Sequence, residues 1–278
     1  MTHRPYNFFV PNPLPVSSPT GGLQTTDFRT QVQAGLVPGW SIVEAMGEYE
    51  AGGTDADGED VCRWQDFTPD GPVRLPTPSA SGEQMTFVSD SAADSSINTG
   101  VRTARIEYLD DTGAEQTEDI VLTGTTPTNT TATNIRFVND FYALTTGSNG
   151  VAEGNIAIYK QGGSIANDLY QMIALGGNKS LVPHRMVPLG KTLLLQEWHA
   201  AEAQGKRVAF RIRSTDMGGT LIPGVFCFKG TTYISGTASG PIPASATVPA
   251  LSIVKVTAWP DAVGSEGSCG WWGYLVDD

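Results

Sequence analysis

The chain has 278 residues, a formal net charge of −12 and only 17 % charged residues, with 32 Gly and 18 Pro. That acidity argues against a nucleic-acid partner, because contact with phosphate is made through Lys and Arg. A hydrophobic fraction of 40 % excludes a disordered chain, and the Gly- and Pro-rich mix favours short strands over long helices around one large or two smaller all-β cores.

Residues 1–38 read as an extended, proline-rich arm. Pro5, Pro11, Pro13, Pro15 and Pro19 oppose helix and bias their predecessors toward extended backbone. Tyr6, Phe8, Phe9, Val10, Leu14 and Val16 give the arm an apolar character that a solvated linker does not need, and they form the candidate interface. The first fifteen residues hold no apolar run suited to a secretory signal, and no run of about 18 apolar residues predicts a membrane span. Residues 40–49 (WSIVEAMGEY) fit a helical turn or a strand equally well. Asp55, Asp57, Glu59 and Asp60 crowd one loop, but the order of its Gly and Glu fails the EF-hand pattern, so a solvated acidic loop is the reading and no metal is expected.

Residues 83–89 predict a strand that leads into the segment 101–160. In 101–108, Arg102, Ala104, Ile106 and Tyr108 fall on one side of a period-two pattern and Val101, Thr103 and Arg105 on the other. Asp110-Asp111-Thr112-Gly113 offers a turn, 118–122 a second strand, 135–144 a third, and Gly147–Gly150 a turn into 155–160. Short turns between successive strands predict an antiparallel meander with one wet face. Residues 166–175 fit helix or strand. Beyond them, strands are expected over 183–189, 191–198, 207–213, 251–259 and 271–276, with a hairpin of 221–228 and 231–234 across Lys229-Gly230. The fold class predicted is all-β: an antiparallel, jelly-roll-like β-sandwich over 39–278, which would subdivide near 161–180, preceded by the arm.

Catalytic signatures are missing or incomplete. Asp111-Thr112-Gly113 resembles an aspartic-protease loop, yet that chemistry needs two facing loops that share a proton, and only one is present. His3, His184 and His199 stand apart in sequence, with His199 expected at a strand end as a surface or edge residue, and no nucleophile elbow, P-loop or dinucleotide fingerprint occurs. Cys62, Cys227 and Cys269 form no C-x-x-C pair and read as buried thiols, with one long-range disulfide as the alternative. The sequons at Asn129 and Asn178 have no secretory signal to give them meaning. Trp40, Trp64, Trp198, Trp259, Trp271 and Trp272 read as core and interface residues rather than a sugar groove. The expectation is therefore no enzyme, no catalytic residue, no cofactor and no metal.

A family resemblance rests on the order of several runs: 82–100 (GEQMTFVSDSAADSSINTG), 101–110, 118–126 (EDIVLTGTT), 134–139 (NIRFVN), 154–158 (GNIAI), 187–192 (VPLGKT) and 207–213. With GWSIVE at 39–44 as lead-in, this order is similar to a recurrent module of tailed-bacteriophage virion structural proteins. The resemblance implies a particle component without enzymatic activity, either a capsid decoration (cement) protein or a tail or baseplate adsorption protein that binds host glycan. For the decoration reading it implies the major capsid protein and copies of itself as partners, as a homotrimer on the outer surface of the head, with no nucleic acid and no membrane.

Overall fold

The computed structural model describes residues 16–17, 23–24, 27–50, 59–61, 78–215, 227–241, 246–262 and 264–278. Among them the chain is all-β and antiparallel, with nineteen strands and two short helices. β1 (Val16–Ser17) and β2 (Leu23–Gln24) pair with each other and precede α1 (Phe28–Gln33). Then come β3 (Trp40–Glu50), β4 (Glu59–Asp60), β5 (Met85–Ser89), β6 (Val101–Asp110), β7 (Glu115–Val121), β8 (Thr128–Asn129), β9 (Ile135–Thr146) and β10 (Ile156–Lys160). α2 (Ile165–Asp168) runs directly into β11 (Leu169–Ile173), followed by β12 (Arg185–Met186), β13 (Lys191–Glu202) and β14 (Val208–Ser214). β15 (Cys227–Ile234), β16 (Thr237–Pro241), β17 (Thr247–Val248), β18 (Ile253–Pro260) and β19 (Glu266–Asp277) complete the order.

Two large cores divide these strands. Residues 78–180 form an inserted half, in which the sheet β7-β6-β9 faces the sheet β11-β10-β5-β8 across Phe87, Ile106, Ile135, Phe141 and Ile156. The flanking segments form the other half. There β16-β13-β19-β3 faces β12-β18-β14-β15 across Tyr49, Leu193, Phe210, Val256 and Trp271. The halves meet where Leu109 and Phe137 pack on Met186 and Ile253. Asn139 clamps the Met186 backbone there, donating to its carbonyl at 3.1 Å and accepting from its N–H at 2.8 Å. The four sheets thus lie in a four-bladed, propeller-like arrangement rather than as one jelly-roll sandwich, and no blade follows the consecutive chain order of a true propeller.

The expected meander over 101–160 is corrected by the pairing. β6 and β7 form the predicted hairpin, but β9 returns on the other side of β6, and β10 crosses to the facing sheet between β5 and β11. The reason lies in β10 itself: Ile156, Ala157 and Ile158 are all buried, so this strand needs cover on both faces and cannot supply a wet one. The hairpin across Lys229-Gly230 is also corrected. β15 is continuous, and the register jumps from Ile212↔Gly230 to Arg213↔Phe228, so Lys229 sits in a bulge.

The two ambiguous segments resolve by burial. Residues 40–50 are a strand, with Val43 and Ala45 against the core while Glu44 and Met46 face outward. In 165–173 a single helical turn precedes a fully buried strand. Within the segment read as an arm, α1 forms because no proline falls between Pro19 and Pro38 and because Asp27 caps it. The Asp27 carboxylate accepts from Thr30 N at 3.0 Å and from Thr30 Oγ1 at 2.8 Å, which holds its pKa below the usual carboxylate value.

Candidate interaction surfaces

The root of the arm is built on the outer face of the β16-β13-β19-β3 sheet. Trp40 on β3 and Tyr274 on β19 stand 5.7 Å apart, and Phe28 from α1 meets both edge-to-face, at 5.0 and 5.5 Å. Trp272 extends the cluster to 5.4 Å from Tyr274, donates from Nε1 to Glu197 Oε2 at 3.0 Å, and carries the Arg29 guanidinium 4.2 Å above its ring. Such T-shaped pairs and a cation over indole add to simple burial. The segment after Asp27 is therefore fixed on the sheet. Of the candidate interface residues, Tyr6, Phe8, Phe9, Val10 and Leu14 lie outside the described residues, and Val16 enters only through the backbone pairing of β1 with β2.

A second surface lies at the end of the inserted half that is remote from the junction. Its loops converge on one fully buried carboxyl group. Asp94 accepts from Val101 N (2.8 Å), Glu153 N (3.0 Å), Gly154 N (3.0 Å) and Ser89 Oγ (2.7 Å), so one side chain pins the loop 90–100 to the loop 147–155. Gly100 is needed beside it, because any Cβ there would strike Asp94 Oδ1. Asp90 adds a second tie, accepting from Asn155 N at 2.8 Å and Nδ2 at 2.9 Å, while Asn155 Oδ1 accepts from Leu175 N at 3.0 Å. Gly147 N donates to Gly100 O and Ser96 N to Leu122 O, which draws four loops into one tip.

The Asp-Thr-Gly loop is used as a turn. Asp110 accepts from Thr112 Oγ1 (2.6 Å), Thr112 N (3.0 Å), Ala114 N (3.0 Å) and Gln116 Nε2 (3.2 Å), and these bonds lower its pKa, Thr112 Oγ1 foremost. Asp111 accepts from Asn134 Nδ2 at 2.8 Å. Gly113 takes φ +88° and its carbonyl receives Leu189 N at 2.9 Å, so the hairpin tip docks on the flanking half.

His3 lies outside the described residues, and His184 and His199 sit in different surroundings. His184 is buried at the junction, where Gln171 Nε2 donates to His184 Nε2 at 3.1 Å and to Val138 O at 2.7 Å, and Phe137 lies 5.1 Å away edge-to-face. Burial, with Lys255 nearby, holds its pKa at about 3 against an ordinary 6.5. His199 is not at a strand edge as expected. β13 is flanked by β16 and β19, and His199 Nε2 is buried over Gly270 without a hydrogen-bond partner. Cys269 is a free, buried thiol whose pKa burial pushes up, while the side chains of Cys62 and Cys227 lie outside the described residues. Trp271 is core, as read, and Trp259 lies under Arg211 at 4.0 Å. Of the acidic loop 55–60, residues 55–58 lie outside the described residues, as does Trp64, while Glu59 and Asp60 are not loop as expected but form β4 against β18.

No family model and no curated relative matches the chain. Among solved structures, infectious bursal disease virus Gt strain aligns at 9 % identity over 90 % of this chain and 77 % of that chain, with a TM-score of 0.23. The Gx strain aligns at 9 % over 92 % and 79 % with a TM-score of 0.19. The VP2 subviral particle of the same virus aligns at 8 % over 90 % and 86 % with a TM-score of 0.14. Likenesses this distant carry no weight for fold or function here.

Proposed function

We propose that this chain is a non-enzymatic structural protein of a tailed-phage virion: a capsid decoration, or cement, protein that binds the outer surface of the head and stabilises it. Its partners are the major capsid protein and copies of itself in a homotrimer. The observation that carries the reading is the root of the arm. Phe28, stapled to Trp40 and Tyr274, gives the preceding apolar, proline-restricted sequence a fixed point of departure from a large acidic β-body. The motif order of the phage resemblance supports it, since those runs lie on β5, β6, β7, β9, β10 and β14, strands that build both halves. The engagement of Asp110 and Asp111 in turn contacts supports a non-enzymatic role.

A tail or baseplate adsorption protein is the rival reading, favoured by Tyr233, 70 % exposed on the same sheet as the Arg211–Trp259 stack. Copy number separates the two: hundreds per particle fit decoration and a handful fit a tail.

The test is deletion of residues 1–18. Attachment to the particle is expected to be lost while the melting temperature stays nearly unchanged. A large fall in melting temperature with attachment intact would make the arm an intramolecular element and overturn the proposal. In the same preparations Asp111→Asn should change no peptide-cleaving activity, and cleavage that depends on Asp111 would restore the protease reading.

A further inference from the structure

We infer that the tip of the inserted half, formed by loops 90–100, 121–127, 147–155 and 174–178, is where one copy of this chain meets a second copy. Among the described residues, three of the eight exposed large hydrophobic side chains lie in these loops, Ile97 (84 % exposed), Leu175 (63 %) and Val121 (53 %), and a fourth, Leu144 (39 %), stands two residues before the end of β9. Surface loops that only close a sheet do not need apolar side chains turned to water.

These loops are also held in one shape. A buried carboxyl group is costly unless every acceptor site is used, and Asp94 uses both oxygens to hold the Ser89 hydroxyl before Ile97, the Val101 N–H after it, and the Glu153 and Gly154 N–H groups of the neighbouring loop. Loops fixed in advance lose less conformational entropy when they are covered, so such a hub suits a contact surface.

Charge selects the occupant. In a chain of net charge −12, the only carboxyl groups of these loops outside the interior are Asp90 and Glu153. Asp90 is bound to Asn155 and Glu153 to the Asn149 amide. A basic partner would gain most from the acidic remainder of the surface, whereas a partner of the same sign can approach only where charge is sparse. A second copy is the partner of the same sign. The inference deepens the proposed function by saying where copies touch, yet it rests on these loops alone, and its failure would leave the arm experiment undecided.

Sedimentation velocity on the full chain up to millimolar concentration, at low and high salt, tests it. The wild-type chain should self-associate, more strongly in high salt because like-charge repulsion is screened. Ile97→Asp and Leu175→Asp should each weaken association at least about tenfold without moving the melting temperature. Leu36→Asp, at a residue 60 % exposed on the flanking half, should change neither. A monomer throughout, association unaffected by Ile97→Asp and Leu175→Asp, or association weakened by salt would overturn the inference.

Discussion

In the inserted half, loops are held by carboxyl groups: Asp90, Asp94 and Asp110 as described, and Glu118, which accepts from Thr131 N (2.5 Å) and Ala132 N (3.1 Å). In the flanking half carboxyl groups hold fewer backbone groups, Asp27 at Thr30 N and Glu202 at Lys206 N, and rings join the layers. Phe28 locks a helix to a sheet, Tyr49 meets Phe210 across the core at 5.5 Å, and Trp271 donates to Pro183 O at 3.2 Å. Both halves face one antiparallel sheet against another, so the difference lies in what each device can fix. A ring buries area and joins layers, but it satisfies no backbone N–H. A carboxyl acceptor satisfies several, and so dictates the path of a loop.

The strongest way to break that contrast is Asp94→Ala. Three backbone N–H groups and Ser89 Oγ would lose their partner in a site with no exposure, at a cost of about 4 kcal/mol in chemical denaturation. Asp94→Asn should recover little, because its amide would point a donor at donors. A loss under about 1 kcal/mol would show that the tip does not depend on the hub.

Phe28→Ala is the matching probe in the flanking half. Two edge-to-face contacts disappear, and a loss of about 2 kcal/mol is expected. Amide exchange should increase around α1 and β3 while the loop 90–100 stays protected. Exchange rising equally in both halves would mean that the two cores do not report separately.

The junction between the halves should answer to pH. The unfolded chain takes up a proton on His184 near pH 6.5, whereas the native ring refuses it until about 3. Its contribution is thus complete above 6.5 and falls as pH drops toward 3, amounting to about 2 kcal/mol between about pH 8 and about pH 5. His184→Gln should flatten that part of the stability profile whatever it does to the absolute value. The smallest effect is expected on the wet face of the inserted half. Arg105 and Asp119 make two bonds, at 2.6 and 2.9 Å, but both side chains are partly exposed, and Arg105→Ala should leave the denaturation midpoint nearly unmoved.

How much of this was legible in the sequence depended on whether the signal was local. Alternation over 101–108 identified β6 as a strand, and Asp110 to Gly113 identified the turn, because period and turn chemistry act over a few residues. Partner choice was not legible. Nothing within 155–160 says that β10 pairs with β5 rather than β9; only the absence of a polar face hints that it lies inside a sheet. The continuous β15 was missed because Lys-Gly reads as a turn and a bulge uses the same residues. Of the interaction surfaces, Asp27 followed by Thr30 was a capping signal passed over beneath the prolines, and it would have found α1 and Phe28. Ile97 between Ser96 and Asn98 was visible as an apolar residue in a polar loop. The role of Asp94 was not, since its four partners come from three separate stretches.

The pairing of β3 with β19 also sets a timetable. Trp40 must wait for Val276, and Glu50 for Glu266, before their sheet can close. Residues 78–180 hold all the partners of their own two sheets, so this half can fold while the ribosome is still adding the C-terminal strands. Until residues 266–277 have been made, β3 carries Trp40, Ile42, Val43 and Met46 without its neighbour. The early chain is then open to strand exchange with other nascent copies. Slowing synthesis between residues 180 and 266 should therefore raise aggregation of the whole chain while leaving the inserted half folded.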